Sequence, residues 1–432
     1  MPLTTSLYSA AMRTVYEEKI REQLNLNHIV RKFRKQNKDE VTWQGNAVFV
    51  HLHSSRNYAG VKSTGEGNAL GVAGNQSYAG LTIPIRDIKG RFGITREVIE
   101  ASNKGLKGAA APALTREMEG LTEDIERQLN RQLFGFGQGT LAIVSPGAAS
   151  TTQTLINPGG VAGTINTARF IKVGMNVIFT DPTGVTIRGV ATVTAFNNAT
   201  GTITLGTSVT TTTNDLVALG TITAGSGGVG SYNLEMMGLL GLVDQTTYVS
   251  TIFGLNRGSA ANQFFWSGVY TAVGQISEDF LYRKIHNQWI DVSGVKVDTF
   301  FCHPSLEREY YKLTQADRRY QGADLNNPDA GVDMDAKPMF GHVAEWVADK
   351  DAPYGTLIAC ASDNLFVIYL NEGSWDSFGM DGDAPELLRF VPDQTGYEGV
   401  FYMFLNAYTD RGNVHFRADG CSVTVDSGIV AD

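Results

Sequence analysis

One stretch limits the architectures open to this chain more than any other. Residues 112–134 set Leu114, Met118, Leu121, Ile125, Leu129 and Leu133 three and four apart, with Glu117, Glu119, Glu123, Asp124, Arg127 and Arg131 on the other faces. This spacing predicts a helix with a single apolar stripe, a rod roughly 30 Å long. Pro112 suits its first turn, and Gly135 and Gly137 suit its stop. Such a rod is stable only when its stripe is covered by a larger body.

What surrounds the rod is not helical. Residues 46–92 predict a long β-hairpin: Val48–His53 is one limb and Leu81–Ile85 the other, with Gly60, Gly65, Gly67, Gly71, Gly74 and Gly80 between them. Pro84 places the second limb at an edge, because it cannot donate to a ladder. After the rod, residues 145–228 turn rich in Thr, Gly, Val and Asn, and carry only Arg169, Lys172, Asp181, Arg188 and Asp215 as charges. Short β-runs alternating with Asp-Pro-Thr-Gly and Asn-Asn-Ala-Thr-Gly turns predict a small all-β barrel or sandwich, with Val177 and Val193 in its core. Residues 229–383 return to mixed character. Ser277 is a predicted N-cap followed by Glu278 and Asp279, with Ile276 and Leu281 as a staple, and a second helix starts near Ser305. Residues 384–432 are β-rich, with a hairpin turn expected at Thr409–Asn413. At the other end, 7–24 predicts a thin-faced helix and 1–45 an arm bearing the basic run Arg31, Lys32, Arg34, Lys35 and Lys38.

The chain has 432 residues and a net charge of −9, which does not suit a dedicated nucleic-acid binder. Its three cysteines are widely spaced and form no CxxC pair, so neither a zinc knuckle nor a disulfide framework is expected, and a reduced setting is. Neither a signal peptide nor a membrane span is expected. No catalytic, cofactor or metal site is predicted. His51 and His53 share a strand face but lack a third ligand, and Cys302 and His303 point to opposite faces of a strand. Asp324, Asp329, Asp333 and Asp335 lack EF-hand spacing and read as a solvated or subunit-contacting loop, as do Asp376, Asp381 and Asp383.

The run GRFGITREVIEASNKG, followed by APALTREMEGLTEDIERQLNRQLFG, closely resembles the major capsid proteins of tailed bacteriophages, whose fold is the Hong Kong ninety-seven type. The likeness is most specific over 81–139; SYNLEMMGLLGLVDQ to NRGSAANQFFW adds to it. It implies an α+β phage capsid fold with an N-terminal arm at 1–45, an E-loop at 46–90, and a P-domain part with the spine helix at 91–144. An inserted β domain at 145–228, an A-domain at 229–383 and P-domain return strands at 384–432 complete it. It implies hexamers and pentamers of this chain in an icosahedral virion shell built in the host bacterial cytoplasm. The implied partners are a portal protein, a separate scaffolding protein, room for a decoration protein, and packaged double-stranded DNA on the inner face. Candidate subunit contacts are Arg31, Lys32, Arg34, Lys35, Lys62, Glu66, Glu123 and Arg127. Lys62 sits in the loop from which some relatives crosslink, but no partner is identifiable and no crosslink is predicted. Two other readings follow the same pattern of pieces less well: an encapsulin-type nanocompartment, and a β-dominated tail protein or surface adhesin, which would lack the rod.

Overall fold

A computed structural model describes residues 29–37, 41–57, 60–68, 72–97, 111–221, 229–318, 336–339, 342–375, 389–391 and 396–425. The expected helix at 7–24, the acids Asp324 to Asp335, and Asp376, Asp381 and Asp383 lie outside these residues.

The described part of the basic run, Arg31 to Lys35, lies in a segment that docks on the body. Ile29, Val30 and Phe33 are buried in the main core and lead into strand β1 (Arg34–Asn37). Three apolar side chains in five residues supply the burial that holds this segment against its own body. β2 (Thr42–Gln44) then pairs with β3 (Ala47–Ser55), and β3 with β4 (Ser77–Pro84) in antiparallel register, Val48 opposite Ile83 and Val50 opposite Leu81. Period-two alternation buries Val48, Leu52, Leu81 and Ile83 and leaves His51, His53 and Tyr78 exposed. β4 is the edge strand, so Pro84 removes no ladder bond.

β5 (Arg86–Thr95) passes into a different sheet and carries the rod, helix α1 (Ala111–Leu133). Met118, Ile125, Leu129 and Leu133 are buried, whereas Leu121 is only half-buried; the side chain of Leu114 lies outside the described ones. The helix lies so close to β5 that a Cβ on Gly90 would sit 2.8 Å from Leu121 Cδ1 and 3.0 Å from Ile125 Cδ1.

The next strands are β6 (Thr140–Val144), β7 (Ala149–Ile156), β8 (Asn176–Thr180), β9 (Ile187–Asn197), β10 (Thr202–Thr210) and β11 (Leu216–Thr221). The ring runs β6–β7–β10–β9–β8–β11 and returns to β6, all antiparallel, and β12 (Val229–Gly230) adds to β11. It is a closed barrel, which removes sheet edges. Val177 and Val193 are in its core with Phe179, Ile203 and Val217. Its first stave, Thr140–Val144, lies ahead of the expected start at 145, because Leu141, Ala142 and Val144 contribute core side chains. Gln153, fully buried, has its Nε2 shared among the carbonyls of Ala148, Ser150 and Val209 and accepts from Thr211 Oγ1, so its own amide is engaged at both ends.

The chain leaves through α2 (Leu239–Leu242) and the tight pair β13 (Thr251–Ile252) and β14 (Leu255–Asn256). It continues through β15 (Gly268–Tyr270), α3 (Glu278–His286), β16 (Thr299–Cys302), α4 (Pro304–Arg318), β17 (Ala336–Met339), β18 (His342–Ala348) and β19 (Leu357–Cys360). Ser277 caps α3, its hydroxyl accepting from Phe280 N at 3.1 Å, and Ile276 and Leu281 are buried beside it. Next come β20 (Leu365–Trp375), β21 (Arg389–Phe390), β22 (Gly396–Thr409) and β23 (Phe416–Ala418). Two sheets result. In one, β22 is central, paired with β5 along one edge and with β20 and β21 along the other, and β20 pairs in parallel with β1. The second runs β15–β23–β19–β16–β18–β17, with α3 and α4 packed on its own core.

Thr409–Asn413 is therefore not a hairpin turn. β22 and β23 belong to different sheets, and the turn hands the chain from one to the other. Gly412 fits there because a Cβ would lie 2.0 Å from Phe265 O. A turn signal marks where a strand stops, not where the next strand pairs.

Candidate functional site

The eight candidate contact residues fall on three separate surfaces. Lys32 is half-buried and ion-paired with Glu345 of its own chain. Arg34 lies with its guanidinium 5.6 Å from the Phe366 ring centre and reaches Asp363 O at 3.5 Å, and the Lys35 ammonium is 5.5 Å from the Tyr369 ring. Arg31, Arg34 and Lys35 stay exposed. Lys62 and Glu66 are exposed on the hairpin's connecting loop, which Asn57 ties back through Gly74 O at 2.6 Å and Gly60 N at 2.8 Å. Glu123 and Arg127 pair at 3.7 Å on the outer face of α1, with side chains 65% and 64% exposed.

The residues weighed for chemistry have structural roles. His51 and His53 face outward edge-on to Phe49 and Tyr78, at 4.7 and 5.5 Å between ring centres. Among the described residues no group of three His, Cys, Asp or Glu could hold a metal ion. Cys302 is buried in β16, whereas the His303 ring turns to Ser305, at 3.1 Å from its N and 2.8 Å from its Oγ, and so caps α4. Burial, and then the nearby Arg169 guanidinium, push the His303 pKa down to about 4. All three cysteines are free and buried; burial raises the Cys360 thiol well above its usual range and Cys421 to about 12. None is a poised nucleophile.

Sequence reasoning passed over the residues that hold these surfaces in position. Arg257 and Arg417 are fully buried, and both serve the end of α2. Arg257 donates to Gly241 O and Leu242 O at 2.7 Å each, and Arg417 to Leu240 O at 3.3 Å and Val243 O at 2.8 Å. A four-residue helix leaves its last carbonyls without helical partners, and the two guanidinium forks satisfy them. Arg417 also pairs with Asp244 at 3.1 Å and Asp419 at 2.9 Å, and stacks 4.7 Å from the Tyr248 ring centre. Asp244 in turn accepts from the backbone N–H of Thr247, Tyr248 and Val249. Burial, opposed by Asp244 and helped by Arg417, lowers the Arg257 pKa to about 10, and burial with Asp419 lifts Tyr248 to about 12.

Asn406, on β22, joins three segments. Its Nδ2 donates to Pro84 O at the base of the hairpin at 2.6 Å, and its Oδ1 accepts from Met237 N, where the chain leaves the barrel, at 2.9 Å. Thr82 N donates to Phe253 O in the β13–β14 turn at 2.9 Å. At the far end of the same sheet, the buried Glu398 carboxylate is ion-paired with Arg91 and Arg389. The signal for Arg417 was a charged side chain flanked by Phe416 and Ala418 in a β-rich stretch.

No model of a known protein family matches this chain, and no curated protein matches it. Solved structures do. The capsid of Myoviridae phage XM1 is similar over 91% of this chain and 92% of that chain, at TM-score 0.43 and 10% identity. The encapsulin complex of Synechococcus elongatus PCC 7942 is similar over 95% and 92%, at TM-score 0.39 and 9% identity. The capsid asymmetric unit of cyanophage A-1(L) is similar over 88% of this chain and 90% of that chain, at TM-score 0.50 and 9% identity. The rod on a sheet, the hairpin and the second sheet are thus the mixed helix-and-strand fold of a phage capsid chain, the Hong Kong ninety-seven type.

Proposed function

We propose that this chain is the major capsid protein of a tailed phage, assembling as hexamers and pentamers into an icosahedral head around double-stranded DNA. The observation that carries this reading is the fold shared with the cyanophage A-1(L) capsid over nearly the whole of both chains. The hairpin supports it. Val61, Val72 and Tyr78 are 80%, 83% and 66% exposed, apolar surface that a lone subunit leaves in water and a neighbouring copy would cover. The role is structural, and its chemistry is that of interfaces. On this reading residues 46–90 are the E-loop, the barrel is the inserted domain, the sheet under α1 is the P-domain and the sheet bearing α3 and α4 the A-domain. Arg31, Arg34, Lys35, Lys62, Glu66, Glu123 and Arg127 lie on surfaces that face other copies. A portal protein, a separate scaffolding protein, room for a decoration protein and packaged DNA complete the virion. Among the described residues no helix is long and apolar enough to cross a membrane.

Electron microscopy of the purified protein, produced with its neighbouring genes, is the test. Closed icosahedral shells containing DNA are expected. Shells filled with an enzyme would instead indicate a nanocompartment, and a discrete monomer or an elongated fibre would overturn the shell reading.

A further inference from the structure

The barrel joins the body through two adjacent chain segments, one entering at 134–140 and one leaving at 229–238. They are tied together by Asn233 N donating to Gln138 O at 2.8 Å and Gln138 Nε2 donating to Tyr232 Oη at 3.0 Å. Two paired segments resist stretching but not rotation about their own line. A second attachment comes from the long connection between β7 and β8. From it, Arg169 reaches across to the 349–354 loop of the body, donating from Nη1 to Ala352 O at 3.1 Å and from Nη2 to Asp351 O at 3.5 Å. Its guanidinium lies between two rings, 4.4 Å from the centre of Phe170 on the barrel side and 4.7 Å from Tyr354 on the body side. Asn166 Nδ2 donates to Tyr354 Oη at 3.1 Å, and Val161 packs into the main core beside it. The receiving loop is itself braced, because Asn130 on α1 donates to Asp349 Oδ1 at 2.9 Å and Asp351 Oδ2 at 2.7 Å.

We propose that Arg169 is a latch. While it is seated on Tyr354 and the 351–352 carbonyls, the barrel is a rigid extension of α1 and the body. When it is withdrawn, the barrel stays folded and swings on its two-segment stalk. The separation of roles follows from placement. The Arg169 side chain is not among those that fill the barrel core, which include Val177, Phe179, Val193 and Val217, and the carbonyls to which its guanidinium donates belong to the body. The inference concerns the single chain and stands whether or not the chain builds a shell.

Hydrogen exchange on the full-length protein tests it. Arg169→Ala is expected to speed exchange roughly tenfold at residues 161–170 and 349–354, while the amides of β8, β9 and β10 keep wild-type rates. Tyr354→Ala loosens the latch from the body side, outside the barrel's own chain segment, and is expected to give the same pattern. The double variant is expected to add little to either single one. Unchanged exchange in 349–354 for Tyr354→Ala would overturn the latch. So would acceleration of the barrel strands equal to that of the docking loop, which would make Arg169 a folding residue of the barrel.

Discussion

Arg417 has no exposed side-chain surface, and neither does its partner Asp244. Two opposite charges out of water are tolerable only while each is fully engaged, and removing one strands the other at a cost of about 3–5 kcal/mol. Arg417→Ala is therefore expected to lose most of the soluble folded protein. Arg417→Lys is expected to fare little better, since one ammonium cannot span Leu240 O, Val243 O, Asp244 and Asp419 together; urea midpoints measure both. His415 gives a pH dependence at the same scale. Its Nδ1 accepts from Ala361 N at 3.2 Å and its Nε2 lies 2.9 Å from Thr409 Oγ1, an arrangement that needs the neutral ring. Burial first, then the Arg411 guanidinium, push its pKa from 6.5 down to about 3. Between those values the unfolded chain binds the proton and the folded chain does not. Stability is thus full above pH 6.5 and falls as pH drops towards 3, and His303 adds the same sign down to about 4. Asp351 and Asp410 act in the opposite direction, because burial raises their pKa. The wild type is expected to lose on the order of 3 kcal/mol more than His415→Gln between pH 7 and 4. Equal slopes in denaturation at those pH values would remove His415 from the account.

Two elements make separable predictions. On α1, Leu129 is buried in the main core, so Leu129→Ala is expected to cost about 2–5 kcal/mol. Leu121 shares the stripe but is half-buried over Gly90, and its truncation is expected to cost less. Glu123→Ala and Arg127→Ala remove one exposed pair and are expected to stay within roughly 0.5 kcal/mol. If their face meets another copy, shells seen by microscopy fall in number while the soluble subunit melts as before. The barrel makes the second prediction. A fragment of residues 140–230 holds every stave and is expected to melt cooperatively. A fragment of 145–228 lacks Thr140–Val144, which pairs with both β7 and β11, and is expected to show no transition by circular dichroism.

For the whole molecule, the proposed shell requires interfaces on the order of 1,000–5,000 Å². Among the described residues the hairpin carries three strongly exposed large apolar side chains, Val61, Val72 and Tyr78. Replacing Val61 and Val72 by serine, at 80% and 83% exposure, is expected to leave the subunit's melting temperature unchanged and to reduce assembled particles in sedimentation. Assembly at the wild-type level would show that this surface is not covered by a neighbour.

The elements readable in the amino-acid order are those whose pattern is local. The stripe of α1, the hairpin alternation, the Ser277 cap and the barrel's low-charge strands each depend on residues a few positions apart, and periodicity reports those directly. The partners across the fold were not readable. Nothing near residues 31–35 indicates that Ile29, Val30 and Phe33 dock in the body and take the basic run with them, because the covering surface comes from strands more than 300 residues away. Likewise Arg417 reads as one charge in a strand until α2, some 170 residues earlier, brings its carbonyls and Asp244 to it. Local spacing sets which face of an element is apolar. Which distant segment covers that face, and which buried charge finds its counter-charge, is decided only when the sheets, the helix and the barrel close on one another.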